Sequence, residues 1–229
     1  VPLGSRYRLP VISNTVWHVW AAYEDTENNA FYHSREKVIE VQETSVLSQH
    51  FTLKRAFDLP DESCWMVTSN GDILQFPRRS DLLPPVLWVK PGTFEETVEI
   101  CAEPRALLPD GPRLIGFGYD LTARDSKGRE LGEDDFNQTM RLSFYYTEEA
   151  LNDLPIDPGY EAPELNNLKP MYYSTIKNEW VPLDDPMVDE ADMFVSGKMD
   201  HFSAFGMLAT TPAIDGSGNM IYLPLVLKH

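Results

Sequence analysis

The chain has 229 residues, 42% of them apolar, enough to bury the core of one large β domain or two small ones. Its 36 acidic residues outnumber 19 basic ones, giving a formal charge of −17. That balance argues against nucleic acid and anionic lipid, which both need a basic surface, and leaves cations as partners. No run of about 18 apolar residues is present, so no membrane insertion is expected, and no leader sequence is legible.

Taken in order, Val1-Pro2-Leu3-Gly4-Ser5 (residues 1–5) reads as an expression scar left by cloning and is set aside. From residue 6 onward the chain is a succession of short alternating or β-branched runs broken by Pro, Gly, Asn and Asp, the pattern of an all-β protein. Strands are expected at Val16–Tyr23, Val38–Thr44, His50–Phe57, Cys64–Thr68 and Asp72–Phe76, with Ser69-Asn70-Gly71-Asp72 as a hairpin turn. Charges and a Pro-Pro pair at Arg78–Pro85 mark a boundary between an N-terminal β unit, residues 6–80, and a second unit, residues 81–211. In the second unit the expected strands are Val86–Val89, Thr97–Glu103, Leu114–Ala123, Met140–Tyr146, Met171–Ser174, Trp180–Leu183, Met193–Lys198 and Phe202–Ala209. Asp125-Ser126-Lys127-Gly128 is a turn, Thr147 caps a single helical turn, and Asp153–Pro163 is a loop. Eighteen prolines argue against long helices. Residues 212–229 form a linker and a last apolar strand, Met220–Leu227, which Pro224 confines to a sheet edge.

Cys64 and Cys101 both lie in strand-like runs. They read as two buried free thiols, with a disulfide as the alternative that would imply an oxidising compartment. No Cys/His spacing of the zinc type occurs, and His18, His33 and His50 read as strand residues. The acidic stretch Asp184–Asp192 and the trio Glu133-Asp134-Asp135 read as solvated loops, with calcium as the alternative ligand. Trp17, Trp20, Trp65, Trp88 and Trp180 read mainly as core, with a carbohydrate platform as the alternative. No phosphate-cradling loop, nucleotide fingerprint or nucleophile elbow is present, so no cofactor and no metal is expected. Catalysis on an external substrate has no support either.

The chemistry-bearing feature is His201-Phe202-Ser203, inside the run Val195–Leu208. Attack of the Ser203 hydroxyl on the carbonyl of Phe202 would replace the peptide bond by an ester, an N-to-O acyl shift, and water would then cut the chain. A serine needs a base for this, and an imidazole titrates near neutrality. On an extended strand His201 and Ser203 share a face, which fits cooperation and fits an ordinary polar pair equally well. Distortion of the peptide bond and donors for the oxyanion would also be needed.

Val86-Leu87-Trp88-Val89-Lys90-Pro91-Gly92-Thr93-Phe94, an apolar strand followed by Pro-Gly and an aromatic, resembles the corresponding segment of ZU-five-type β-sandwich domains, such as those of netrin receptors and ankyrins. Phe117–Gly128 is similar to their central strand and turn, Leu142–Tyr146 to the strand before a long loop, and Tyr172–Leu183 to a hairpin carrying Trp-x-x-Leu. His201–Phe205 is similar to the closing strand. The resemblance covers roughly residues 83–209 and leaves the first eighty uncovered. Some members of that group cut themselves between Phe and Ser of such a triplet, and others never do. The resemblance therefore implies an antiparallel β-sandwich, with His201 as base, Phe202 as carbonyl donor and Ser203 as nucleophile if the chain is cut. The expected protein is an exported or cell-surface structural module, self-cleaving or intact. Its partners would be protein or carbohydrate and, after a cut, its own C-terminal fragment. A non-cleaving binding module and a calcium-stabilised adhesion module are the competing expectations.

Overall fold

The computed structural model describes residues 15–19, 21–25, 28–34, 37–41, 51–78, 82–106, 113–132, 135–152, 165–209 and 225–226. The N-terminal region carries β1 (Thr15–Val19), β2 (Ala21–Asp25), β3 (Ala30–His33), β4 (Lys37–Val41) and β5 (Lys54–Asp58). β1 pairs with β4, whereas β2, β3 and β5 build a separate antiparallel sheet. The expected single strand Val16–Tyr23 is thus two strands, because its halves enter different sheets. β3 falls where no strand was expected.

From residue 63 onward the chain forms two packed sheets. Their strands are β6 (Ser63–Val67), β7 (Asp72–Gln75), β8 (Val86–Val89), β9 (Val98–Arg105), β10 (Arg113–Arg124), β11 (Met140–Tyr145), β12 (Leu168–Ser174), β13 (Glu179–Pro182), β14 (Asp184–Asp189), β15 (Phe194–Met199) and β16 (Ala204–Ala209). One sheet has six strands in the order β13-β12-β16-β10-β9-β6; the other has five, β14-β15-β11-β8-β7. All pairings within the two sheets are antiparallel. The short last strand, β17 (Leu225–Val226), runs parallel to β2 at the edge of the N-terminal sheet. Pro224 and the rest of the expected strand Met220–Leu227 lie outside the described residues.

Alternation decides which side chains meet between the sheets. In β9, Val98, Ile100 and Ala102 are buried while Glu99, Cys101 and Glu103 turn outward. In β10 the buried set is Ile115, Phe117, Tyr119, Leu121 and Ala123. Leu142 and Phe144 of β11, Leu74 and Phe76, and Phe205 and Met207 of β16 complete the same core. Tyr119 brings its hydroxyl inside, where it donates to the carbonyl of Pro77 at 2.7 Å. Burial pushes its phenol far above the usual tyrosine value. The all-β, sandwich-like fold expected from the sequence is what the chain adopts. Among the described residues the one α-helix is α1 (Glu148–Asn152), capped as expected by the Thr147 hydroxyl, which accepts from Ala150 N at 3.0 Å. No helix there is long and apolar enough to cross a membrane.

Several local expectations need correction. Asn70-Gly71 is a turn, with Gly71 N donating to Thr68 O at 3.0 Å, but it closes no hairpin: β6 pairs with β9 and β7 with β8. The turn hands the chain from one sheet to the other. By the same pairing β6 and β7 join strands from beyond Arg78–Pro85, so the sandwich begins before residue 81. Asp184–Asp189 is an edge strand and not a loop, since β15 supplies it with a ladder partner. Its Asp185 carboxylate takes the Arg141 guanidinium at 2.9 Å and the Lys198 ammonium at 3.0 Å. Asp189 Oδ1 instead accepts the backbone N–H groups of Ala191 and Asp192. Of the other acidic trio, Asp135 pairs with Arg129, and Glu133 and Asp134 lie outside the described residues, as do Trp20, His50 and the linker.

Candidate functional site

His201-Phe202-Ser203 sits where the chain leaves the five-stranded sheet at Met199 and enters the six-stranded sheet at Ala204. The expected strand Phe202–Ala209 therefore starts two residues late, because a chain crossing between layers cannot stay in a ladder. Phe202 turns into the core, its ring 5.1 Å from that of Phe136, which packs in turn on buried Phe94. The backbone of Ser203 already lies in the groove that β16 continues. Its carbonyl accepts the Leu121 N–H of β10 at 2.9 Å, and its hydroxyl donates to the Tyr173 carbonyl of β12 at 2.7 Å.

His201 stands edge-on to Tyr172 with 4.4 Å between ring centroids, and 6.1 Å from the Phe205 ring. Its side chain is 18% exposed. Nδ1 lies 2.9 Å from a carboxylate oxygen of Asp200. A carboxylate can only accept, so Nδ1 is the donor to Asp200, and in the neutral ring the lone pair then lies on Nε2. Asp200 thus stands to His201 as an orienting carboxylate stands to a general base. Strand parity puts neighbours 200 and 201 on opposite faces, and so hides this contact in the sequence; only the turn brings the two side chains together. Tyr173, the acceptor for the serine hydroxyl, is equally invisible because it lies thirty positions earlier.

His201 and Ser203 do not hydrogen-bond to one another among the described contacts; each has its own partner. None of the three residues has a left-handed φ. For Ser203 Oγ to reach the Phe202 carbonyl it must leave the Tyr173 oxygen, at a cost of about 1 kcal/mol for the hydrogen bond. The arrangement holds an imidazole against a carboxylate, a serine hydroxyl on a backbone carbonyl, and a peptide bond flanked by Phe202 packing and the Leu121–Ser203 bond.

The second chemistry-bearing feature is on the outer face of the six-stranded sheet. Cys64 of β6 and Cys101 of β9 are direct cross-strand partners, Cα atoms 4.1 Å apart, and form a disulfide. The expectation of two buried free thiols is corrected on both counts: Cys64 is exposed and Cys101 half-exposed. The alternation Val98-x-Ile100-x-Ala102 was the available signal, since it places Cys101 on the outward face. Closing a loop across a separation of 37 residues is worth about 4 kcal/mol in the chain-entropy account.

Trp65, Trp88 and Trp180 share no common surface. Trp65 packs on Phe76 against the core; Trp88 is exposed on the outer face of the five-stranded sheet; Trp180 and Tyr173 pair at 5.5 Å on the outer face of the other. Compared with known proteins, the chain matches no family model and no curated relative.

Proposed function

We propose that this chain is an exported or cell-surface structural β module. The observation that carries the reading is the solvent-exposed Cys64–Cys101 bridge, a bond that persists in oxidising compartments and is rare where glutathione and thioredoxin keep thiols reduced. The division of Trp88 and Trp180 between opposite outer faces offers no shared aromatic platform and so gives less support to a carbohydrate-binding module. Alkylation of the denatured, unreduced protein followed by intact-mass measurement tests it. No adduct before reduction and two after it are expected. Two adducts without reduction would remove the basis for export.

A second reading, that the module cuts itself between Phe202 and Ser203, is favoured by the Asp200–His201 contact. Ser203 Oγ adds to the Phe202 carbonyl as Nε2 of His201 takes its proton. Collapse with departure of the Ser203 nitrogen, protonated as it leaves, gives the ester, and water releases a Phe202 carboxylate. The fragment from Ser203 onward would stay in place, because β16 is a central strand hydrogen-bonded to both β10 and β12. The products are then a nicked, non-covalent pair. Denaturing mass spectrometry of the wild type beside Ser203→Ala decides it. Two fragments split before Ser203, with the variant whole, are the expected result; one full-length mass in both, unchanged over days at neutral pH, leaves the intact structural module.

A further inference from the structure

We propose that reduction of the Cys64–Cys101 bridge by a dithiol unmasks a binding site for a thiophilic divalent cation such as zinc, held by the two thiolates and the carboxylate of Glu62. Ligand atoms of Glu62, Cys64 and Cys101 all lie within 4.8 Å of one another, on the exposed side of the sheet. No other side chain is needed to complete a three-ligand set of the zinc type, with water in the fourth position.

The sheet, and not the disulfide, sets the spacing of the two sulfurs. β6 pairs with β9 from Ser63↔Ala102 to Val67↔Val98, and β9 is held on its other side by β10. Breaking the bridge gives up about 4 kcal/mol, a part of the 5–15 kcal/mol typical of a domain, and leaves this ladder in place. The thiols then face each other as an ordinary cross-strand pair. Two thiolates at about 2.3 Å from one tetrahedral zinc lie about 3.8 Å apart, which side chains on Cα atoms 4.1 Å apart can reach by small rotations.

The surroundings favour a cation. Glu99 and Glu103 alternate with Cys101 on the same face of β9, and Asp120 lies opposite Glu103. Glu24 and Arg105 meet beside them at 3.3 Å. With Glu62 that is five carboxylates, against the guanidiniums of Arg105 and Arg124. Arg105 is already shared among Glu24, Glu103 and Asp120. Glu62 also lines a cleft of about 300 Å³ with Glu24, Asp61 and Glu103, so solvent reaches the Glu62 carboxylate from that side.

The redox step balances without any further reagent. The dithiol is oxidised to its cyclic disulfide and its two hydrogens reduce the bridge to two cysteine thiols; cation binding then expels both thiol protons. The oxidised chain offers no thiolate, so the site is present in one redox state only.

The test uses the whole chain in both states. It is reduced with dithiothreitol, freed of reductant by anaerobic desalting, and titrated with cobalt(II). Expected is a thiolate-to-cobalt charge-transfer band that saturates at one equivalent, vanishes on adding zinc, and is lacking in the oxidised chain. Glu62→Gln should weaken binding by about tenfold. Because an unfolded reduced chain could also bind metal, zinc is added during thermal melts: it should raise the Tm of the reduced protein and leave that of the oxidised protein unchanged. A reduced chain with two titratable thiols and no band would overturn the proposal. So would equal metal binding by the oxidised chain, which would assign the ion to the carboxylates, or a zinc-independent Tm in the reduced chain.

Discussion

Two four-residue connections carry the chain across the sandwich, and different forces hold them. Thr68–Gly71 runs from β6 in the six-stranded sheet to β7 in the five-stranded one; Asp200–Ser203 returns from β15 to β16. The first is held by its backbone. Gly71 has a φ of 74° and donates to Thr68 O, and Gly92 N reaches back to Ser69 O at 2.7 Å. A Cβ at Gly71 would collide with the Val89 carbonyl. The second has no glycine and no left-handed residue, and it is held by side chains: Phe202 in the core, Ser203 on Tyr173, His201 against Tyr172 and Asp200. At the first crossing the side chains add one contact within the turn, the Thr68 hydroxyl accepting the Asn70 N–H at 3.3 Å. A crossing made of side chains holds an imidazole and a hydroxyl in fixed positions, and that is why the proposed cleavage is assigned to the second crossing and not the first.

The largest expected effect comes from Gly71→Ala, which combines a strained φ with a backbone collision and should cost about 2–4 kcal/mol. Urea denaturation measures it, and a loss under about 1 kcal/mol would mean that the first crossing is not held as described. Phe202→Ala should cost about 2 kcal/mol, less than for a fully buried ring because Phe202 is only half-buried. Ser203→Ala should cost about 1 kcal/mol for the lost bond to Tyr173. If Phe202→Ala proved no more costly than Ser203→Ala, hydrogen bonding and not ring packing would be the main anchor of the second crossing.

A third turn sharpens the contrast, since it is held by charge. Asp125 Oδ1 accepts the backbone N–H groups of Arg129 and Lys127, both at 2.9 Å, and Oδ2 takes the Arg129 guanidinium at 3.0 Å. The Arg129 N–H first, then that of Lys127 and the guanidinium, hold the Asp125 carboxyl below the usual carboxylate range; the guanidinium and the Gly132 N–H do the same for Asp135. A carboxyl with a lowered folded-state pKa contributes stability above its unfolded value, about pH 4, and loses it as the pH falls through the folded value. Tm should therefore drop below about pH 4, and Asp125→Asn should be less stable at neutral pH yet flatter in acid. Parallel acid profiles for wild type and variant would take Asp125 out of that transition.

Much of the strand content could be read directly. Val86–Val89 begins and ends where its apolar run does, whereas the outward facing of Cys101, carried by the alternation around Ile100, was missed by the expectation of buried thiols. The Thr147 cap and the Asp125 turn were legible because each depends on atoms a few positions apart. The misread elements share a different cause. Asn70-Gly71 announces a turn but not which strands it joins, and the acidic residues of Asp184–Asp189 announce solvent exposure, which an edge strand has as much as a loop does.

The sequence by itself determined the β class, the place of most strands and the presence of a His-x-Ser pair, which rest on local steric preference and the residues themselves. Tertiary structure alone decided that Cys64 faces Cys101, that His201 turns to Asp200, and that Ser203 gives its hydroxyl to Tyr173. Two of these join residues 37 and 30 positions apart, and the third joins neighbours that only a chain leaving its ladder can bring together. Such contacts are selected by which strands pair and where the chain changes sheets, and no local pattern encodes either.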